Sequence, residues 1–168
     1  MRKLIFKNRM TVFSFMLLIS IAISGCINGG GSSAPNNATV RTDLESSVHS
    51  KVNSYRASQG NSALGYDNRI AEIARNHSMD MAGKDKISHD GFNGRVSQLK
   101  SVLGASNIAA GENVAYNYGC SDPVQVAVDG WINSEDHRLN MIGDYNWTGI
   151  GVAVNGGKYY FTQIFVKK

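Results

Sequence analysis

Residues 149–166, GIGVAVNGGKYYFTQIFV, decide the fold class because their hydrophobic pattern has the period of a strand. In residues 150–154 the branched apolar side chains alternate with small ones, and residues 159–166 are rich in aromatic and β-branched side chains. Asn155-Gly156-Gly157 lies between the two segments and has the composition of a tight turn. The stretch therefore predicts a C-terminal antiparallel hairpin.

Upstream of the hairpin, apolar residues recur every three or four positions, as they do in amphipathic helices. The sequence Thr42-Asp43-Leu44-Glu45 has the spacing of a capping box, in which Glu45 would reach back to the helix N-terminus. Helices are expected from residue 42 to Gly60, from Asp67–Asn68 to beyond Met81, over 96–103 and from the N-cap Asp122 to Trp131, with Ser134 capping a further turn. Helices followed by a terminal hairpin predict an α+β fold in which helices cover an antiparallel sheet.

The first 25 residues have the features of a signal peptide. Four cations precede the uncharged residues 10–24, whose helical length of about 22 Å is short of a ~30 Å hydrocarbon core. Ser24-Gly25-Cys26 resembles a prokaryotic lipobox, in which the cysteine sulfur carries diacylglycerol; the alternative is an ordinary signal peptide with Cys26 incidental. The polar residues 26–40 predict a flexible tether, and residues 41–168 a folded domain. We therefore expect an exported, cell-surface protein anchored to the membrane through Cys26.

The charge of the chain argues against nucleic acid as a partner. The formal net charge of +4 comes from the four basic residues of the N-terminal segment. Without these four of the 17 basic residues, the chain has 13 basic and 13 acidic residues. A neutral domain has no general attraction for phosphates.

The four histidines lie in different sequence environments. His49 is off the apolar face of the first helix and is expected at the surface, whereas His77 is on the apolar stripe of the second helix and is expected to donate to a backbone carbonyl. His89 lies in a glycine-containing loop and His137 in the turn after the fourth helix, and Glu112 stands beside apolar residues between them. These last three residues could bind a metal or exchange protons, although spacings of 23 and 25 residues match no compact zinc motif.

Several motifs in a fixed order resemble the CAP superfamily of cysteine-rich secretory proteins, antigen 5 and plant pathogenesis-related proteins, in its prokaryotic branch. They are Gly111-Glu112-Asn113-Val114 and, at residues 131–141, WINSEDHRLNM. The resemblance extends over about residues 44–166. It implies a three-layer α-β-α sandwich with a central antiparallel sheet and a shallow cavity.

The resemblance also implies a set of site residues. The family cavity carries two histidines and two acids that can hold a divalent metal, often zinc, and His89, Glu112 and His137 match positions of that set. Eukaryotic members have a glutamate where this chain has Ser134 and a histidine where it has Tyr160, so a strict tetrad is not expected. We predict His89, Glu112 and His137 as metal ligands, with Glu112 and His137 as the candidate catalytic groups. The predicted cavity lining is Asn113, Ser134, Glu135, Asn140 and Tyr160.

Three functions fit this set of residues. A metal held with an open coordination position would suit a hydrolase. The same metal could instead stiffen the cavity for a small lipid or peptide ligand, and the cluster could also be a structural hydrogen-bond network. No residue is marked as a nucleophile. The sequence therefore predicts a monomeric CAP-domain protein tethered to the membrane, with a binding module favoured over a metal-dependent, peptidase-like hydrolase.

Overall fold

The computed structural model describes residues 37–168, which form five helices and five strands. The helices are α1 (Thr42–Ser58), α2 (Asn68–Lys84), α3 (Phe92–Leu103), α4 (Pro123–Asn133) and α5 (Glu135–Ile142). The strands are β1 (Thr39–Val40), β2 (Gly65–Tyr66), β3 (Ala109–Tyr118), β4 (Trp147–Asn155) and β5 (Lys158–Lys167). None of these helices combines the length and the hydropathy needed to cross a membrane. The predicted signal peptide, Cys26 and most of the predicted tether lie outside the described residues.

The strands form one sheet in the order β1-β4-β5-β3. The predicted hairpin is confirmed: β4 and β5 pair antiparallel, and both turn glycines, Gly156 and Gly157, have positive φ angles. The short β2 pairs parallel to the start of β4, on the same side of β4 as β1. Consequently β3 is one edge of the sheet, and β1 and β2 lie along the other.

Helices cover both faces of this sheet, which confirms the α-β-α sandwich. Successive residues of β5 point to opposite faces. Ile164 and Val166 pack in one cluster with α2 and α3, whereas Phe161 and Phe165 pack in another with α1 and α4. A third cluster, around Met81 and Tyr160, lies on the α2 side, so separate apolar clusters on both sides of the sheet hold the three layers together.

Helix α2 lies directly on the backbone of β4. A Cβ atom added to Gly149 would be 2.1 Å from the amide nitrogen of Ala71, and one added to Gly151 would be 2.2 Å from that of Arg75. The small residues of the alternating stretch therefore face α2, and the intervening Ile150 contributes to the opposite core. Glycine is required at these two positions because there is no space for a Cβ atom, and not because the backbone adopts an unusual conformation.

Two predictions about how helices begin are wrong. Helix α3 begins at Phe92, four residues earlier than expected, because Gly91 adopts a left-handed conformation (φ 78°) that starts the helix within the presumed loop. Glu45 does not reach back to the N-terminus of α1, whose cap Arg41 makes no side-chain cap hydrogen bond. The Glu45 carboxylate is instead buried in an ion pair with Arg75 of α2.

The prediction for the histidine of α1 is wrong, whereas that for the histidine of α2 is confirmed. His49 is half-buried rather than at the surface, with its Nε2 atom 2.9 Å from the carbonyl oxygen of Leu64. His77 is buried as expected, and its Nε2 donates to the carbonyl of Ser88 at 2.7 Å. The loop that carries Leu64 covers α1, and helical periodicity alone could not indicate it.

Candidate functional site

The edge strand β3 positions the central residues of the site. Neighbouring residues of a strand face opposite sides of a sheet, so Glu112 and Asn113 reach different helical layers. Glu112 contacts Arg95 of α3, whereas Asn113 contacts the backbone of His137 in α5. Glu112 was predicted as a site residue, but strand β3 was not predicted, because Gly111, Glu112 and Asn113 interrupt any alternation of apolar residues.

Glu112 is a buried carboxylate with both oxygens engaged. Arg95 Nε donates to Oε2 and Arg95 Nη2 to Oε1, each at 2.7 Å, and His89 Nδ1 lies 2.9 Å from Oε1. Burial would raise the pKa of Glu112, but the hydrogen bonds from His89 and Arg95 outweigh it and hold the pKa below its ordinary value. Glu112 is therefore ionised at neutral pH and orients the ring of His89.

His137 is the third residue of α5, a helix that packs in the layer opposite α3. Its Nδ1 atom lies 2.8 Å from the hydroxyl of Ser134. Ser134 is the N-cap residue of α5, as predicted, but its side chain makes no cap hydrogen bond to the backbone and is used by His137 instead. Burial lowers the pKa of His137, and the charge of His89 lowers it further. The two imidazoles thus interact electrostatically, and His137 is neutral at pH 7.

Two asparagines connect the helix of His137 to the sheet. Asn113, which is fully buried, donates to the carbonyl of His137 at 3.0 Å and accepts a 2.9 Å hydrogen bond from Asn140 Nδ2. These contacts fix the position of α5 relative to β3. Asn113 and Asn140 were predicted as cavity lining, and in the structure their side chains bind the backbone of α5 and β3.

The outer edge of β3 is covered by side chains of α4 and α5. Asn140 Nδ2 also lies 3.3 Å from the carbonyl oxygen of Glu112, and the Trp131 indole N–H donates to the carbonyl of Val114 at 3.0 Å. Both carbonyls lie on the side of β3 away from β5. Side chains of α4 and α5 therefore take the place of a neighbouring strand along the middle of β3.

Two predicted lining residues do not join this cluster. Tyr160 is almost completely buried and its hydroxyl donates to Asp85. It lies four residues along β5 from Ile164, the residue that pairs with Glu112, which corresponds to about 13 Å along the strand. Glu135 is exposed in the first turn of α5, and its carboxylate makes no hydrogen bond or ion pair with another described residue.

Arg95 is the site residue that the sequence analysis left without a role. It is only 9% exposed, and besides Glu112 it binds the carbonyl of Asp90 at 2.8 Å. Its spacing from His89 carries no recognisable pattern, because the turn at Gly91 brings the two residues together. A buried acid beside apolar residues was the available signal, since such an acid requires a cation or hydrogen-bond donors.

The three predicted metal ligands do not form a ligand set. Across residues 37–168, no three His, Cys, Asp or Glu side chains converge so that they could hold a metal ion. Glu112 is occupied by Arg95, which leaves the imidazoles of His89 and His137 as donors. Each ring has its Nδ1 fixed by an oxygen, and neither Nε2 makes a hydrogen bond to another described residue. A ring nitrogen held by a carboxylate or hydroxyl oxygen, with the other nitrogen available, is typical of metal-binding histidines.

The domain is an α-β-α sandwich with a cluster of histidine, glutamate and arginine side chains at its edge strand β3. The family model for the cysteine-rich secretory protein (CAP) family matches residues 49–165, and the chain belongs to this family.

Similar proteins come from several bacteria. The chain is 35% identical over 133 residues to YlbC, named as an uncharacterized membrane protein, and 34% identical over 138 residues to the uncharacterized protein YkwD, both of Bacillus subtilis. These alignments cover 77% and 81% of this chain but only 36% and 51% of the relatives, so the chain spans about a third to a half of their length.

Solved structures share the fold. An extracellular SCP-domain protein of Bacillus anthracis superposes with a TM-score of 0.61 at 28% identity, covering 76% of this chain and 41% of that one. An outer surface protein of Borrelia burgdorferi superposes with a TM-score of 0.67 at 17% identity, covering 78% and 98%. The Bacillus anthracis protein is named as extracellular and YlbC as a membrane protein, and both names are consistent with an exported or surface location.

Proposed function

We propose that the chain is an exported, membrane-tethered CAP-domain protein whose cleft at β3 binds a divalent metal through His89 and His137. The observation that carries the proposal is the state of the two rings: each Nδ1 is fixed by Glu112 or Ser134, and each Nε2 is uncommitted among the described residues. In this proposal Glu112 is a positioning residue for His89 rather than a ligand.

The electrostatics of the cleft support the proposal. A metal needs neutral imidazoles, and the pKa of His137 is lowered by burial and by His89. Zinc suits two imidazoles because it favours nitrogen ligands, with further positions left to water or a ligand. When bound, it supplies a Lewis acid that can polarise an oxygen of a small lipid or peptide ligand.

Binding is favoured over hydrolysis by the contacts of the two candidate catalytic groups. Both oxygens of Glu112 accept hydrogen bonds from Arg95 or His89, and these contacts hold its pKa below the ordinary value, which makes the carboxylate a weak base towards water. The Ser134 hydroxyl lies at Nδ1 of His137, and no carboxylate of the described residues contacts that ring, so the pair lacks the third member of a catalytic triad. We therefore propose a binding module.

Calorimetric titration of the full chain with zinc in detergent tests the metal site. His89→Ala and His137→Ala should each weaken zinc binding at least tenfold, and Glu112→Gln should weaken it roughly tenfold or more through the orientation of His89. His49→Ala is the matched control, because this ring lies at the other edge of the sheet, and it should leave the affinity unchanged. Equal affinities of all four variants and the parent would refute the site.

The membrane tether is tested separately by metabolic labelling. The wild-type chain should incorporate labelled fatty acid, whereas Cys26→Ala should not. Incorporation into Cys26→Ala would refute lipidation at this residue, and it would leave the metal site unaffected.

A further inference from the structure

A second polar cleft lies at the opposite edge of the sheet from the histidine–glutamate site. It has a volume of about 250 Å³ and is bounded by α1, β2 and α2. Its α1 wall is a single helical face that includes Ser46 and His49, and Tyr66 of β2 lies beside them. Because β2 pairs with the outer side of β4, this cleft shares no residue with the site at β3.

A buried ion pair forms the inner wall of the cleft. Glu45 is 2% exposed, and Arg75 binds it side-on, with Nε 2.9 Å from Oε1 and Nη2 2.6 Å from Oε2. The Tyr66 hydroxyl donates to Oε2 at 3.3 Å. Burial, and then the charge of Glu45, raise the pKa of Tyr66 to about 12, so this hydroxyl keeps its proton. Arg75 Nη1 takes no part in the contacts with Glu45, and the Arg75 side chain is 25% exposed, so this nitrogen can donate to a ligand.

The ion pair selects against charged ligands. An anion placed beside the Arg75 guanidinium also meets the Glu45 carboxylate, and a cation beside Glu45 meets Arg75. Like charges at such distances disfavour binding, and neither charge can be removed without leaving the other buried and unpaired. A neutral ligand with several polar groups avoids both repulsions.

The remaining walls fit a ligand that carries hydroxyl groups on an apolar ring. Thr42 and Ser46 offer hydroxyls and Asn68 an amide, each able to donate and accept, and their side chains make no hydrogen bond to other described residues. The rings of His49 and Tyr66 meet edge to face, with centroids 5.3 Å apart, and form an aromatic wall that C–H groups of a ligand can contact. The volume is below the roughly 300–1,000 Å³ of sites for drug-sized ligands, which limits the occupant to a small molecule.

We propose that this cleft between α1 and α2 is a binding site for a neutral carbohydrate, one sugar unit in size. Vicinal hydroxyls of the sugar bind Arg75 Nη1 and Asn68, and one face of the ring lies against Tyr66. The site is independent of the metal proposed at the β3 edge.

Saturation-transfer NMR with N-acetylglucosamine and glucose tests this site on the full chain in a detergent without a sugar headgroup. A ligand of about a dozen heavy atoms should bind with a dissociation constant in roughly the millimolar range. Ser46→Leu fills the cleft from its exposed rim without disturbing the buried pair and should weaken binding at least fivefold. Ser50→Leu places the same side chain one turn further along α1, outside the cleft, and should change binding less than twofold.

Three results would overturn the proposal. The first is no saturation transfer from the wild-type chain to either sugar, and the second is equal loss in Ser46→Leu and Ser50→Leu. The third is displacement of the sugar by equimolar acetate or tetramethylammonium, which would show a site for ions. Circular dichroism confirms that the variants fold, and His89→Ala should bind the sugars as the wild type does, which separates this site from the cleft at β3.

Discussion

Replacing Arg95 by methionine should destabilise the protein strongly and in a pH-dependent way. The substitution removes the guanidinium from both oxygens of Glu112 and leaves the carboxylate buried. Removing one partner of a buried ion pair costs about 3–5 kcal/mol. Arg95 and Glu112 are 9% and 2% exposed, so solvent screening reduces this value little, and His89 remains as a donor. We therefore expect the free energy of unfolding to fall by about 3 kcal/mol at pH 7.

The sign of the pH dependence follows from the carboxylate. In the wild type the pKa of Glu112 lies below its unfolded value, so its contribution is present above the unfolded pKa of about 4.3 and is lost as pH falls through the folded pKa. Without Arg95, burial raises the folded pKa above the unfolded one, and the protonated acid becomes the favoured form. The difference in the free energy of unfolding between the wild type and Arg95→Met should therefore be largest at pH 7 and become smaller towards pH 4.

Urea unfolding followed by tryptophan fluorescence measures this difference. With a slope of about 1–3 kcal/mol per M, the midpoint at pH 7 should fall by about 1 M or more. Arg41→Met is the control, because its ion pair with Asp43 is exposed, and it should leave the midpoint unchanged. A second variant, Arg95→Met with Glu112→Met, should recover most of the loss. A loss below about 1 kcal/mol, or a deficit that is the same at pH 4 and pH 7, would refute the reasoning.

Three further outcomes are expected from other parts of the fold. Gly149→Ala should prevent stable folding, because the new Cβ would lie 2.1 Å from the backbone of α2. Gly83→Ala, which points into open space on α2, should raise the free energy of unfolding by about 0.5–1 kcal/mol. Thermal melts of the two variants measure both effects. Trp131→Phe leaves a buried β3 carbonyl without its donor and should cost about 1–3 kcal/mol in urea unfolding, and a loss under 0.5 kcal/mol would contradict it. Burial lowers the pKa of His77, so NMR titration should give a pKa below the ordinary 6.5. The free energy of unfolding should therefore fall as pH drops from the unfolded pKa through the folded one. A pKa at or above 6.5 would contradict this.

Periodicity made most of the fold predictable from the sequence. The strand period of residues 149–166 and the helical period around Asp67 and Asp122 gave the right elements, and both aspartates accept the expected N-terminal amide hydrogen bond. These signals are readable because each depends on residues within a few positions of one another. The strand β3 was not predicted, and the start of α3 was misplaced because the left-handed conformation of Gly91 leaves no trace in an apolar pattern.

The partners of buried charges could not be predicted in the same way. Glu45 pairs with Arg75 thirty residues later, and Glu112 with Arg95 seventeen residues earlier. Neither separation corresponds to a helical or strand repeat, because each pair is brought together by the packing of α2 or α3 on its neighbours. The family resemblance supplied the positions of His89 and His137, but only the three-dimensional arrangement shows that Arg95 is the ion-pair partner of Glu112.

The covered edge of β3 has a consequence for how copies of this protein behave beside one another. A bare edge strand can recruit a strand from a second molecule, which is the first step of fibrous aggregation. The indole of Trp131 and the amide of Asn140 occupy the carbonyls that such a strand would need. At high protein concentration, where copies collide often, these two side chains block the pairing of a foreign strand along the middle of β3.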